Sequence, residues 1–353
     1  MNTKHLISSR ATIKEALERL NSLPGKSMTL FVGDADSHIL GTLTDGDIRR
    51  ALLCGLTLED NALLAAHTDF QWIEEGCVDV ERLRNLRQRN ITLIPVLDSK
   101  GKLTDVLDMS SCRTILPLNA VLMAGGRGER LRPATLTTPK PLLTIEGKAI
   151  IDYNIELLAS CGIKDITVAT GYLAEQIYDH FRYPVAGVAV KCVKEEIPLG
   201  TIGAVTLTDA AQGGGDTLVM NSDLITTVSF EEMYLHHRHN NAAVTIAVVP
   251  YQVSVPYAIL ALDDENPDRV AGIEEKPSYS YYANAGIYIF SKEVLRMLEP
   301  QRRCDATDLI SKAIADGMNV SYYPIKGTWI DVGSPVDFRQ ASELMRHHNA
   351  MNS

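Results

Sequence analysis

The sequence predicts an α/β protein: a mixed, mainly parallel sheet with helices on both faces, preceded by a smaller α+β repeat. Three observations predict it. Beyond Leu118, short apolar runs alternate with helix-period runs, the pattern that builds βαβ units. Before it, one strand–turn–strand pattern occurs twice. Between the two, Pro117 closes a short linker. The expected domains are residues 1–116 and 117–353.

A chain of 353 residues can bury two cores, and 45% hydrophobic with 22% charged residues is ordinary for a globular protein. The net charge of −10 argues against a nucleic-acid or membrane-surface binder, so neither partner is expected. Phosphate must then be met by a few placed Lys, Arg and backbone N–H groups. None of the six cysteines lies in a C-x-x-C spacing, which suggests reduced cysteines rather than a zinc or redox pair. Met1–Arg10 has no apolar h-region, so no secretory signal is expected there. The most apolar stretch, Val244–Leu262, is cut by Pro250 and Pro256 and carries Gln252 and Ser254. It reads as two strands rather than a membrane helix. A cytoplasmic location is the expectation.

The repeat consists of Thr29–Ile48 and Thr92–Met109, each an apolar strand, a polar turn and a second strand. A helix precedes each copy. Ile13, Ala16, Leu17 and Leu20 share one face of the first, and Val80, Leu83 and Leu86 one face of the second. Arg82, Arg84, Arg87 and Arg89 read as a solvated helix face. Over residues 1–112 this pattern resembles a tandem pair of CBS domains. The sharpest match is Gly41-Thr42-Leu43-Thr44-Asp45-Gly46-Asp47. The resemblance implies an adenine nucleotide as candidate ligand, with Thr44 at its phosphate and Asp47 at its ribose; Arg49 or Arg50 would face the phosphate. The second copy has Asp105 and Asp108 where the pattern has Gly and Thr. A carboxylate repels phosphate, so at most one site is expected to work. Such pairs often associate, and a homo-oligomer is expected.

In the larger half, Ala120–Ala124, Ile166–Thr170 and Thr217–Met220 read as strands. Ile150–Ser160, Ala174–Phe181 and Phe230–Asn240 read as helices. Ligands of such sheets bind beyond the carboxyl ends of the strands. There Leu122–Leu131 runs from a strand into a Gly-rich loop, followed by Pro133, Thr135 and Pro139-Lys140-Pro141. A loop without Cβ atoms can turn tightly and aim N–H groups at phosphate oxygens. Gly-Lys-Ser/Thr is absent, so it is not a Walker A loop. Leu218-Val219-Met220-Asn221-Ser222-Asp223 is a strand ending in an acid, and Trp329-Ile330-Asp331-Val332-Gly333-Ser334-Pro335 carries a second. Mg²⁺ favours one or two carboxylates completed by phosphate oxygens and water. Further motifs are Glu195–Ala204, Pro256-Tyr257-Ala258, Glu274-Glu275-Lys276-Pro277 and Asn284-Ala285-Gly286. His236, His237 and His239 read as a solvated helix face, badly spaced for a metal.

Taken in order, these motifs closely resemble those of the sugar-1-phosphate nucleotidyltransferases over residues 118–345. The resemblance implies a Rossmann-like, GT-A-like fold and direct attack of a sugar 1-phosphate on the α-phosphorus of an NTP. It implies roles as well. Leu122, Ala124, Gly125, Gly126 and Gly128 would hold the nucleotide, and backbone at Gly200, Thr201 and Gly203 the base. Arg130 and Lys140 would neutralise the phosphates, and Asp223 and Asp331 would bind Mg²⁺ as catalytic ligands. Glu275, Lys276 and Asn284 would hold the sugar phosphate. The chain departs from the pattern at Glu129 (usually Thr), Ile202 (Ala), Ser222 (Gly) and Ala258 (Gly).

With the repeat in front, the chain resembles guanylyltransferases of bacterial surface-sugar pathways, that of legionaminic acid synthesis among them. GTP with a mannose or aminohexose 1-phosphate is expected; uridylyl or thymidylyl transfer is the alternative. No hexapeptide repeat follows, so no β-helix acetyltransferase domain is expected. A glycosyltransferase would need a D-x-D motif, and Asp34-Ala35-Asp36 and Asp45-Gly46-Asp47 both fall in the repeat. A degenerate transferase serving a nucleotide sensor would not be expected to keep Asp223, Asp331, Lys140 and Lys276.

Overall fold

The computed structural model describes residues 3–23, 28–110, 112 and 114–352. Two compact units result, Met1–Pro117 with Ser160–Gly162, and Leu118–Ala159 with Ile163–Ser353.

The first unit contains β1 (Leu6–Ser8), α1 (Ile13–Asn21), β2 (Thr29–Gly33), β3 (Ile39–Thr44) and α2 (Asp45–Leu53). They are followed by β4 (Ile73–Glu74), α3 (Val80–Gln88), β5 (Leu93–Leu97) and β6 (Leu103–Asp108). The sequence repeat is visible as two three-stranded sheets of identical plan. β1 runs parallel to β2 and β2 antiparallel to β3, while β4 runs parallel to β5 and β5 antiparallel to β6. Each hairpin carries a register shift at the same place, Val32/Gly33 and Val96/Leu97. α1 begins at a capping box, in which Thr12 accepts the Glu15 N–H and Glu15 accepts that of Thr12. Its Ile13, Ala16 and Leu20 are buried against Leu30, Val32 and Leu43. α3 buries Val80, Leu83 and Leu86, and Arg82 and Arg89 are exposed.

The second unit opens with β7 (Asn119–Ala124), the β8 (Thr144–Ile145) and β9 (Lys148–Ala149) hairpin and α4 (Ile150–Ser160). Then come β10 (Ile166–Thr170), α5 (Ala174–His180), β11 (Val190–Lys194), α6 (Asp209–Gln212), β12 (Thr217–Asn221), β13 (Leu224–Thr226) and α7 (Phe230–His239). A long antiparallel excursion follows: β14 (Val244–Ser254), β15 (Ile259–Leu262), β16 (Val270–Glu274) and β17 (Ser278–Phe290). The chain closes with α8 (Lys292–Leu295), α9 (Ala306–Ala315), β18 (Val320–Pro324), β19 (Trp329–Asp331) and α10 (Pro335–Asn352). Val244–Leu262 thus forms two strands parted around Pro256, whereas Pro250 does not cut the chain but lies inside β14, paired with Tyr282. Among the described residues no helix is long and apolar enough to cross a membrane.

The central sheet has the order β11-β10-β7-β12-β17-β14-β18. Only β17 runs against the other six, as its antiparallel pairing to β12 and β14 shows. Val121, Val219, Val244 and Phe290 from the sheet pack with Leu309, Ile310 and Ala313 of α9, all nearly sealed from water. Each such large side chain contributes about 1.5–3 kcal/mol on burial. Register fixes the working edge. Thr170 pairs with Ala124, and Asn221 with Met123, so neighbouring parallel strands release their chains together at Gly171, Gly125 and Ser222.

One side chain departs from expectation. His237 is not on a solvated face; it is 2% exposed, with Nδ1 2.8 Å from Thr245 Oγ1. The helix turns it inward onto β14, whereas His236 meets Ser321 Oγ at 2.9 Å. Burial, with Arg238 and His236 nearby, pushes the His237 pKa down from 6.5 to about 4. Asp216, 3.7 Å from Nε2, is beyond hydrogen-bond reach and does not hold the ring charged. The folded state therefore refuses a proton that the unfolded chain takes up. This stabilising difference is complete above pH 6.5 and is lost as pH falls toward 4, a loss of about 3 kcal/mol. Chemical denaturation across pH 7 to 4 should show that loss in the wild type, and His237→Asn should flatten it.

Candidate active site

A cleft of about 860 Å³ opens at the carboxyl edge of β7, β10 and β12. Ala124, Gly125, Gly126, Gly128, Glu195 and Gly200 line it together with Lys140 and Asp223. The Gly-rich loop needs its glycines for contact as well as for turning. Gly128 has φ +59°, and a Cβ there would lie 2.9 Å from Thr135 Cγ2 and 3.1 Å from Lys140 Cβ. The Thr135 hydroxyl donates to the Gly128 carbonyl at 2.8 Å, tying the loop to the segment that carries Lys140.

Lys140 is 8% exposed. Its ammonium donates to Asp223 Oδ2 in a short ion pair and lies 3.5 Å from Asp331 Oδ1. The two aspartates, distant in sequence, are brought together by β13 and β19, where Leu224 pairs with Asp331. Asp223 is fixed from behind. Buried Asn154 on α4 donates to the carbonyls of Leu224 at 3.0 Å and Ser222 at 3.3 Å, on either side of it. Asp331 is held by Trp329, whose indole N–H donates to the Ala285 carbonyl at 2.9 Å. Burial, and then the Asp223 charge, push the Asp331 carboxyl up; Lys140 and Arg130 draw it down. Arg130 reaches this group because Gly333 has no Cβ, which would lie 2.9 Å from the guanidinium.

Asp223 Oδ1 is buried and has no hydrogen-bond partner among the described residues. A carboxylate oxygen in that condition costs free energy unless a cation or donor meets it. The pair therefore fits the hard-oxygen donor set of Mg²⁺, with the remaining positions left to phosphate and water.

The departures from the family pattern are absorbed by the fold. Ser222 is 2% exposed and donates to the Met123 carbonyl at 2.7 Å. Ile202 is fully buried in the core beside Leu199 and Ala306. Glu129 pairs with Arg132 at 3.2 Å.

Several sequence-based assignments need correction. Leu122 is sealed inside β7, paired to Val168 and Met220, and does not line the cleft. Of the backbone expected to hold a base, Gly200 and Thr201 line the cleft, while two amides are used within the fold: Thr201 N–H donates to Asp305 Oδ1 at 2.9 Å, and Gly203 N–H to the Cys304 carbonyl at 3.2 Å. Glu275, Lys276 and Asn284 lie on exposed stretches of the β14–β17 excursion, away from the cleft lining. Lys276 has φ +46°, and Asn284 is engaged with Tyr288 Oη and the Gly286 N–H. Thr44 and Asp47 cap α2, each accepting the other's backbone N–H, so both side chains are spent locally. Thr-x-x-Asp before an apolar run is itself a capping signature. Among the described residues no cluster of three metal-binding side chains occurs, so His236, His237 and His239 form none.

The sequence motifs did not single out Asn154, and Glu195 stood there only as the first residue of the Glu195–Ala204 motif, without a role. For Asn154 the signal is an amide among Ile150, Ile151, Ile155 and Leu158 on the buried side of α4.

A sheet of this order, with its Gly-rich turn and paired aspartates at the carboxyl edge, is a nucleotidyltransferase α/β fold. The solved structure of a UDP-glucose pyrophosphorylase from Acinetobacter baumanii superposes with a TM-score of 0.50 at 23% identity, over 64% of this chain and 92% of that one. The nucleotidyl transferase family matches residues 119–348, and the chain belongs to it. A mannose-1-phosphate guanylyltransferase catalytic subunit beta of Dictyostelium discoideum is 30% identical over 226 residues, 63% of this chain and 62% of that protein. A mannose-1-phosphate guanyltransferase of Neurospora crassa is 32% identical over 227 residues, 63% of this chain and 62% of that protein. The chain thus spans under two-thirds of the length of these curated relatives.

Removing Lys140 would leave two buried-edge carboxylates facing each other. Lys140→Met should destabilise the cation-free protein at pH 7 by about 3 kcal/mol. Added Mg²⁺, or acidification that protonates the raised Asp331 carboxyl, should restore part of that loss in thermal melts.

Proposed function

We propose that this chain transfers a nucleotidyl group, GMP in our reading, from a nucleoside triphosphate to a hexose or aminohexose 1-phosphate. The observation that carries the proposal is the Lys140 ammonium held between Asp223 and Asp331 beside the Gly-rich loop that lines the cleft. The relatives named as mannose-1-phosphate guanylyltransferases support GTP and a mannose-type sugar. An activated sugar for bacterial surface glycans is the product we favour.

A phosphate oxygen of the sugar 1-phosphate would form the new bond to the α-phosphorus. The bond to the β-bridging oxygen would break, and pyrophosphate would leave with the electron pair. The nucleophile is already an anion, so no base is required of the protein. What the chain must supply is position and charge. The Gly125–Gly128 turn would seat the triphosphate, and Arg130 and Lys140 place positive charge where its negative charge would gather. Asp223 and Asp331 would hold Mg²⁺, whose charge would offset that building on the phosphates. The exposed Glu275 and Lys276 would meet the sugar phosphate only if the β14–β17 excursion folded over the cleft.

The N-terminal repeat, on the same reading, is a CBS pair that senses an adenine nucleotide. Because Asp47 caps α2, an Asp47→Ala change would cost about 1 kcal/mol of stability there besides any loss of sensing.

A matrix of NTPs against sugar 1-phosphates, scored by pyrophosphate release, tests the main proposal. GTP with mannose or glucosamine 1-phosphate should give the fastest release. Asp223→Asn should lower it by at least about a hundredfold, as expected for loss of a transition-state charge contact. Undiminished release from a folded Asp223→Asn protein would end the proposal.

A further inference from the structure

Among the buried side chains of α4, Asn154 alone is polar, and it is 1% exposed. Its amide nitrogen donates to the carbonyls of Leu224 at 3.0 Å, Ser222 at 3.3 Å and Ile150 at 3.4 Å. All three partners are acceptors, so the amide can meet them only with its NH₂ group. Ser222 ties the same turn to β7. Its backbone N–H and its hydroxyl both donate to the Met123 carbonyl, at 3.2 and 2.7 Å. Asp223 thus sits between two residues whose backbones are held from inside the protein, while its own Oδ1 is buried without a partner.

A small apolar core lies beneath the charged cluster: Ile145, Ile150, Ile225, Ile330, Val332 and Ala341. It draws on every segment that carries one of the three charges. Ile145 is on the hairpin that follows Lys140, Ile225 comes just after Asp223, and Ile330 and Val332 flank Asp331. α4 enters through Ile150, whose N–H donates to the Leu143 carbonyl at 3.0 Å. On the next turn of the helix, the Tyr153 hydroxyl donates to the Ile145 carbonyl at 2.8 Å. Apolar packing is non-directional, so it gathers these segments without setting how any of their backbones is turned. Hydrogen bonds have direction. For the Asp223 turn, α4 supplies that direction through Asn154.

We propose that Asn154 is a positioning residue for the divalent cation, keeping the Asp223 carboxylate aimed at an ion shared with Asp331. The inference rests on the nucleotidyl-transfer reading, in which the two aspartates hold that ion. Asn154 does not line the cleft and acts only through the Ser222 and Leu224 carbonyls. Without it, the Asp223 turn must be ordered again each time an ion arrives. Outer contacts that orient a metal ligand are worth about tenfold to a hundredfold in metal affinity.

The test uses the full chain without nucleotide or sugar, and Mn²⁺ as the probe, because electron paramagnetic resonance counts the free ion. Asn154→Ser is too short to reach either carbonyl and leaves room for water to solvate them. Asn154→Gln carries the same amide on a longer stem. The wild type should bind an Mn²⁺ that Asp223→Asn loses. Asn154→Ser should weaken that binding by about tenfold to a hundredfold. Asn154→Gln should lose less, and it carries the test if the serine variant does not fold. Melting temperatures are read alongside, and affinities well below them. A residue that only filled the core would lower the melting temperature and leave Mn²⁺ affinity unchanged in the folded variants. That result overturns the proposal while leaving nucleotidyl transfer standing. A wild type that binds no Mn²⁺, or whose binding survives Asp223→Asn, counts against the aspartate pair as a cation site, and so against the transfer reading as well.

Discussion

The second unit is organised around one electrostatic constraint: two carboxylates must sit at the same sheet edge within reach of a single ammonium. Asp223 follows the central strand β12, and Asp331 ends β19 over a hundred residues later. The Leu224–Asp331 pairing brings them together. The arrangement is costly on its own, as the raised Asp331 carboxyl and the unpartnered Asp223 Oδ1 both show. Lys140 offsets part of the cost. Much of the surrounding structure reads as support for these three groups. Asn154 fixes the backbone on both sides of Asp223, Trp329 anchors β19, and Thr135 ties the Gly-rich turn to the Lys140 segment. Residues held in an unfavourable electrostatic state persist only where neighbours over-determine them, and such places tend to be functional.

The elements of this fold were legible where period and composition agreed. The strands ending at Ala124, Thr170 and Asn221, and the helices starting at Ile150, Ala174 and Phe230, fall within a residue or two of their expected places. Both hairpins of the N-terminal repeat and their helices do as well. The motif residues Lys140, Asp223 and Asp331, distant in sequence, lie together in the structure, with Arg130 near Asp331. What failed was the direction of backbone groups and of single side chains. Thr201 and Gly203 carry the right residues for a base-binding loop, yet their N–H groups point at Asp305 and Cys304. Nothing local to Gly200–Gly203 reveals a partner a hundred residues away. His237 failed for a related reason. A run of three histidines looks polar by composition, but one helix position in the run faces β14. Thr44 and Asp47 were legible twice, as a nucleotide motif and as a helix cap; in the structure the two side chains form the cap.

The long β14–β17 excursion bears on the sugar. It carries the Glu-Lys-Pro turn, and its outer part exposes Tyr251, Leu260, Leu262, Ile273 and Tyr281. Two strand pairs, the outer β14–β17 ribbon and the separate β15–β16 hairpin, share that apolar surface, and such pairs are poorly supported in water. The inner part of the ribbon is different: Val244–Val248 and Ala285–Phe290 are built into the core of the sheet. One end of the ribbon is therefore anchored and the other unsupported. A sugar site assembled partly from the unsupported end would be completed late, after the nucleotide side of the cleft.

The nucleotide side has its own charge problem. Glu129, Glu195, Glu196 and Asp223 line a cleft proposed to receive a triphosphate, with Asp331 close to the same Lys140 ammonium, in a chain of net charge −10. Arg127, Arg130 and Lys140 supply three cations close by, but Lys140 is already committed to the aspartates. With five carboxylates against three cations, the local charge is negative before an anionic nucleotide arrives and does not draw one in. On the proposed reading, the missing attraction comes from the divalent ion that a triphosphate carries with it. That ion would compete with Lys140 for the aspartates, freeing the ammonium for phosphate.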